Sequence, residues 1–304
     1  MARKLRIQYE GAIYHVINRG NYRRDVFGTV GAAQAFEQAV LEAGALHGWR
    51  LHAFVVMSNH YHLAVETPRA NLVEGMHWLQ STFATRFNRL RQVRGHLFQG
   101  RYQALLIEDA AALARVVDYI HLNPVRAGLV PPAKLAGYRW SSLGKFAQSG
   151  RPAELECADW LRPHGWTDSP AGVRAYVAYL TDLAADEAEQ KRLGLEKLSA
   201  GWAIGTLAWR KKVARDHAHR ALSPGLEVGE LKDLKEAHWS QVLESELSRV
   251  RQTPKEITKT PGNAPWKISV ARKLRQAGAA YAWITSALHM GKTSSVRAYL
   301  CRKK

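Results

Sequence analysis

The sequence predicts an α+β fold. It reads as a ferredoxin-like, RRM-like antiparallel sheet with helices on one face, followed by a helical region and a C-terminal helix-turn-helix. Three observations predict this. Between Tyr14 and Val130, apolar runs of strand length alternate with longer runs at helical spacing in the order β-α-β-β-α-β-α. Breaks rich in Pro and Gly divide the chain beyond Val130, and the last stretch is basic and helically patterned.

The elements follow in order. Residues Tyr14 to Gly20 (YHVINRG) form a first strand that ends in a basic turn, Asn18 to Arg24. Ala32 to His47 is alanine-rich, with Phe36, Val40 and Leu41 near helical spacing, and Gly48 closes the helix. Trp49 to Met57 and His60 to Thr67 are β-branched and aromatic, interrupted only by Ser58-Asn59, so they form a hairpin. Asn71 is placed to cap a second helix running through Arg94, with Leu72, Met76, Leu79 and Phe83 on one stripe. Gln103 to Ile107 is a fourth strand, and Asp109 caps a third helix that runs into YIHLNP. Breaks are expected at 151 to 166, at SPGLEVGE (223 to 230) and at RQTPKEITKTPGNAP (251 to 265). The domains expected are 1–150 for the sheet, 151–235 for a helical extension and 236–304 for a basic tail.

Charge is the strongest global feature. The 304 residues carry 44 Lys+Arg against 26 Asp+Glu, a formal net charge of +18. The sequence pI is about 10.1. Such an excess suits a polyanion, because neutralised phosphates release counterions, and DNA is the expected partner. No stretch approaches the roughly 18 apolar residues that would span a membrane, and the opening MARKLRIQYEG lacks the apolar core of a signal peptide. A cytoplasmic protein without membrane partners is expected. Cys157 and Cys301 lie far apart, which gives neither a disulfide framework nor a zinc finger.

Two features carry the chemistry. In a strand, residues i and i+2 share a face, so His60 and His62 project together while Tyr61 points the other way. Two imidazoles on one face can grip one metal ion, although the same pattern also serves ordinary half-buried histidines. Tyr119 and Asn123 are one helical turn apart within ARVVDYIHLNPVRAGLV (114 to 130), and Pro124 disfavours helical geometry at Asn123. Taken alone, these are equally a core tyrosine and a helix-ending asparagine. His52 and His121 read as structural or solvent-facing.

Taken together, His60-Tyr61-His62 and the later DYIHLNPV (118 to 125) resemble the one-tyrosine HUH transposases, in particular the REP-associated tyrosine transposases. HVINRGNYRRDVF from His15, FQGRYQALLIED from Phe98 and YRWSSL from Tyr138 fit the same family, so the resemblance spans residues 5 to 145. It implies an HUH endonuclease core in which His60, His62 and Asn123 hold a divalent metal and Tyr119 is the nucleophile. The product of cleavage would be a 5′-phosphotyrosine link on single-stranded, hairpin-forming DNA. Ligand softness favours manganese, zinc or cobalt, whereas the resemblance points to Mg²⁺ or Mn²⁺. The family's monomers and its dimers with shared active sites are both compatible with this chain. The competing reading is a non-catalytic, repeat-binding regulatory protein on the same fold.

Basic residues extend the DNA reading. Arg19, Arg23 and Arg24 in the first loop, and Arg101 beside Phe98 and Tyr102, combine charge with aromatic rings as a single-strand groove requires. From Trp266 to Lys304 there are nine Lys or Arg and no Asp or Glu. Helices at Ile268 to Ala277 and Ala280 to Leu288, and a third from Thr293, would aim Lys292, Ser294, Ser295 and Arg297 at a major groove. Gly291-Lys-Thr is not a nucleotide loop, because the glycine required five residues earlier is Ser286.

Overall fold

The computed structural model describes residues 7–218 and 228–301. They fall into two compact units, Ile7–Thr206 and Leu207 onward. The first is built on strands β1 (Ala12–Arg19), β2 (Arg50–Val56), β3 (His60–Thr67), β4 (Gln103–Ile107) and β5 (Ala203–Ile204), in the order β2-β3-β1-β4-β5. The first four pair antiparallel, with β1 between β3 and β4, which is the split β-α-β arrangement. β5 joins β4 in parallel, so the sheet is mixed rather than wholly antiparallel.

Helices cover both faces, not one. Helices α1 (Val30–His47) and α2 (Leu72–Arg91) enclose an aromatic cluster on the first face. Tyr61 is its centre, with Phe36 at 4.5 Å between ring centroids, and Phe27, Phe83 and Phe98 around them. Each such aromatic pair contributes about 0.5–1.5 kcal/mol beyond its buried area. The other face carries helix α3 (Ala110–Arg126), whose Tyr119 ring meets His15 and His62. Two-residue alternation along β3 separates these environments.

Local chemistry sets the element ends. Asp109 accepts from Ala112 N at 2.8 Å and caps α3 as expected. Asn71 does not cap α2: its amide accepts from Trp49 Nε1 at 3.0 Å and donates to the His47 carbonyl at 2.8 Å. Pro124 does not end α3 at Asn123. The helix continues to Arg126 because the carbonyl groups beside the missing amide still find donors, with Asn123 Nδ2 donating to Tyr119 O at 2.7 Å and reaching Ile120 O at 3.5 Å.

Residues beyond α3 complete the same unit. Tyr138 donates to Val56 O at 3.0 Å and Val56 N donates to Trp140 O at 2.8 Å, so YRWSSL covers the outer edge of β2. Short helices α4 (Ala158–Leu161) and α6 (Glu187–Arg192) flank the longer α5 (Pro170–Ala185). Buried His121 contacts Tyr176 Oη at 3.0 Å and Ser142 Oγ at 2.9 Å, and His52 is buried 3.4 Å from Glu66, so both are structural.

The second unit contains α7 (Leu207–Asp216), α8 (Val228–Arg249), α9 (Pro254–Lys259), α10 (Pro265–Gln276), α11 (Tyr281–Ala287) and α12 (Thr293–Cys301). The break expected at 223 to 230 lies outside the described residues up to 227, and Val228 already begins α8. The break expected at 251 to 265 holds α9, fixed by a capping box between Thr253 and Glu256. Trp239, Val270, Leu274, Ile284, Leu288 and Val296 form the core of this unit.

One close approach in the first unit is testable. A Cβ on Gly75 of α2 would overlap the indole of Trp49, which is buried and held by Asn71. Alanine is the better helix former by about 1 kcal/mol. Even so, Gly75→Ala is expected to destabilise the protein by about 1–3 kcal/mol in urea unfolding. A gain in stability would mean that Trp49 is free to move away.

Candidate active site

β1 and β3 pair with Arg19 opposite His60 and Ile17 opposite His62, and β4 adds Gln103 opposite Ile17. Paired residues share a face, so these side chains gather beneath Tyr119 of α3. Together with Arg23, Asn59 and Ser199 they line one open cleft of about 470 Å³. The loop after β1 is tied to the β2-β3 turn by Gly20 N to Asn59 O at 2.7 Å and Phe27 N to Ser58 O at 2.8 Å. Gly20 lets this loop fold tightly on itself, since an added Cβ would strike the Arg24 carbonyl and Val26.

The imidazoles are engaged on one side only. His60 Nδ1 is 2.7 Å from Asn59 Oδ1, and His62 Nδ1 is 2.9 Å from His15 Nε2. His15 and His62 stack with centroids 5.1 Å apart, and Tyr119 meets both rings edge-on at 5.6 and 5.4 Å. Arg126 lies over the Tyr119 ring at 5.0 Å. Burial, with Arg19 beside it, lowers the pKa of His60. Burial holds His62 well below the ordinary value, reinforced by His15, His60 and Arg126. Burial also pushes His15 down to about 4 and His121 to about 3.

This chemistry fits a divalent metal in part. Neutral imidazoles with Nδ1 engaged leave Nε2 to a ligand, which is how protein histidines bind metals. Among the described residues no group of three His, Cys, Asp or Glu is placed to hold an ion, so a third donor would have to be an amide, water or substrate oxygen. Asn123 does not line the cleft, and its Nδ2 is turned onto the Tyr119 carbonyl.

Of the other residues singled out from sequence, Arg19 and Arg23 line the cleft. Arg24 lies in a second groove with Phe87, Arg91, Arg94 and His96. Arg101 is exposed, but Phe98 and Tyr102 beside it are buried and present no ring for stacking. The exposed ring is Tyr22, 81% accessible, and it has a left-handed backbone, φ 54°. Lys292, Ser294, Ser295 and Arg297 belong to the second unit. They lie at the start of α12, with Arg297 5.2 Å from the Tyr281 ring centre. His15, Asn59, Gln103, Arg126 and Ser199 were not singled out as site residues from sequence. His15, Gln103 and Arg126 lie within the quoted stretches HVINRGNYRRDVF, FQGRYQALLIED and ARVVDYIHLNPVRAGLV, whereas Ser199 carried no signal.

Residues 8–123 match the model of the IS200-like transposases. Over this stretch, less than half of its length, the chain is similar to that family. No curated protein matches the chain. Solved structures that match include a REP-associated tyrosine transposase bound to a REP hairpin. It is 18% identical, with 53% of this chain and 93% of that one covered and a TM-score of 0.41. A candidate transposase of Deinococcus radiodurans R1 is 22% identical, with 34% and 85% covered and a TM-score of 0.28. Among the described residues no helix is long and apolar enough to cross a membrane.

The depressed histidines make stability depend on pH. An unfolded imidazole titrates near 6.5, so below that pH the unfolded chain binds more protons than the folded one. The contribution of His15 is therefore complete above pH 6.5 and is lost as pH falls towards about 4, and that of His121 towards about 3. The cost is about 1 kcal/mol per pH unit for each buried imidazole. The urea midpoint should drop between pH 7.5 and pH 5. A flat midpoint would show that these rings take up protons as readily in the folded protein as in the unfolded chain.

Proposed function

We propose that the chain is a metal-dependent endonuclease and strand transferase acting on single-stranded DNA at hairpin-forming repeats. Tyr119 is the nucleophile, and His60, His62 and Asn123 hold Mg²⁺ or Mn²⁺. The observation that carries this reading is the convergence of Tyr119, His60 and His62 on one cleft bordered by Arg19 and Arg23.

A protonated phenol is a weak nucleophile, so its attack needs a phosphate held in line. Arg19 and Arg23 supply charge-assisted donors for that phosphate. Tyr119 Oη then bonds to phosphorus while the bond to the 3′ oxygen breaks. The phenol gives up a proton and the departing 3′ oxygen gains one. One phosphodiester replaces another, so the strand can be rejoined to a new 3′ end without ATP. A divalent ion, when bound, polarises the scissile phosphate and stabilises charge on its oxygens. The family resemblance assigns Asn123 as third ligand; with Nδ2 donating to Tyr119 O its Oδ1 is the atom left to ligate, and the side chain would have to turn into a cleft that it does not line.

Affinity is assigned to two surfaces. In the first unit, Arg24, Arg91 and Arg94 continue the basic surface beside the cleft, with Arg101 near β4. In the second unit, α11 and α12 act as a helix-turn-helix whose Lys292, Ser294, Ser295 and Arg297 meet duplex or hairpin DNA. One or two active sites satisfy the same chemistry, so a monomer and a homodimer both fit this reading.

The test is a denaturing gel of protein with labelled hairpin-containing single strands from the flanks of its own gene, with Mg²⁺ or Mn²⁺ and with EDTA. A metal-dependent covalent adduct is expected, and Tyr119→Phe should lose it entirely while DNA affinity stays close to wild type. Adduct formation by the variant would remove Tyr119 as nucleophile, and tight hairpin binding without any adduct would favour the regulatory reading.

The duplex surface has its own readout. Lys292→Glu with Arg297→Glu should weaken hairpin binding and reduce the slope of log affinity against log salt by about two. Adduct formation on short unpaired strands should be unchanged. An unaltered slope would exclude α12 as a phosphate-contacting element.

A further inference from the structure

A buried chain of polar contacts leads from outside the family-matched residues to one of the two candidate imidazole ligands. His15 is fully buried on β1, and its Nδ1 lies 2.8 Å from the carbonyl oxygen of Leu198. Its Nε2 lies 2.9 Å from His62 Nδ1. A carbonyl only accepts, so the proton of this contact is on His15 Nδ1. A neutral imidazole with Nδ1 protonated has a bare Nε2, which can only accept. The proton between the two rings is therefore on His62 Nδ1, and His62 Nε2 is left unprotonated.

Resting on the metal-site reading proposed for His60 and His62, we infer that His15 is a positioning residue that transmits the fixed polarity of the Leu198 carbonyl to His62 and holds that ring with Nε2 free to ligate. His60 reaches the same state through Asn59 Oδ1, whose amide also donates to Arg23 O at 3.4 Å. The two imidazoles are thus set by separate anchors, one beside the β2-β3 turn and one far along the chain.

The segment that follows Leu198 is anchored to the β4 edge of the sheet. Leu106 N donates to Trp202 O at 2.9 Å, Gln103 Nε2 donates to Gly201 O at 3.1 Å, and β5 pairs with β4. Ser199, next in the chain, lines the cleft. Residues 198 to 204 therefore belong to the working site although they lie beyond the 8–123 match. Neither His15 nor Leu198 lines the cleft, so the role assigned is indirect: it sets which nitrogen of His62 carries the proton.

The experiment uses the full chain without metal, labelled with ¹⁵N-histidine, and reads the His62 tautomer from two-bond ¹H–¹⁵N correlations. Wild type should show His62 protonated at Nδ1 alone. His15→Phe should give a mixture of tautomers, and Mn²⁺ affinity measured by calorimetry without DNA should fall about 10–100-fold. His15→Gln, which keeps one donor and one acceptor, should recover most of both signals. A wild-type His62 protonated at Nε2, or a His15→Phe variant with unchanged tautomer and Mn²⁺ affinity, would overturn the inference. Should His15→Phe fail to fold, the wild-type tautomer and His15→Gln decide. If the tautomers behave as expected but wild type takes up neither Mn²⁺ nor Mg²⁺, the relay stands and the metal-site reading falls.

Discussion

Side chains alternate along a strand, and in β3 a single residue separates two incompatible environments. Tyr61 must point into the aromatic cluster under α1 and α2, where its ring is 4.5 Å from Phe36 and its hydroxyl accepts from Gln80 at 2.8 Å. That choice fixes His60 and His62 on the opposite face, because a one-residue slip would bury two imidazoles among phenylalanines and expose the tyrosine. Pairing with β1 then brings Arg19, Ile17 and His15 to the histidine face in fixed register. The apolar core thus determines where the polar site lies, and the cleft inherits its geometry from packing on the far side of the sheet.

The same division operates along α3. Tyr119 faces the sheet and the histidines, whereas His121, two residues on, faces outward to Tyr176 and Ser142 under Trp160. A helix buried on both sides needs polar partners on both. Here the outer partners come from residues 138 to 185, so the segment after α3 satisfies groups that would otherwise be buried and unpaired. It also covers the β2 edge through Tyr138 and Trp140, and it supplies Leu198 and β5 at the other edge. These additions explain why helices occupy both faces and why the sheet ends in a parallel strand.

Much of this was legible because it depends on short-range pattern. The four long strands, the three helices between and after them, and the opposed directions of His60 and Tyr61 follow from periods of two and 3.6. Features that depend on partners distant in sequence were not legible. Asn71 has the residue type of a cap, but the indole of Trp49 competes for its amide and wins. Pro124 has the chemistry of a helix end, yet the Asn123 side chain offers a donor to the carbonyls around the gap, and the helix continues. Phe98 and Tyr102 are aromatic and next to arginine, which reads as a nucleic-acid groove until the sheet claims both rings. Ser199 and the Leu198 carbonyl carry no sequence signal, because a backbone oxygen is the same in every residue.

The charges around the cleft bear on what its histidines can do. Arg19, Arg23 and Arg126 bring guanidinium charge to the region without drawing on imidazole. Burial is the larger cause of the low proton affinity of His60 and His62, and Arg19 and Arg126 add to it. The cleft is consequently basic while its two imidazoles keep a lone pair at neutral pH. An anion entering it would meet fixed positive charge on its rim and unprotonated nitrogen on its floor. The phosphate-attracting and lone-pair-donating functions are therefore carried by different residue types, so strengthening the first does not protonate away the second.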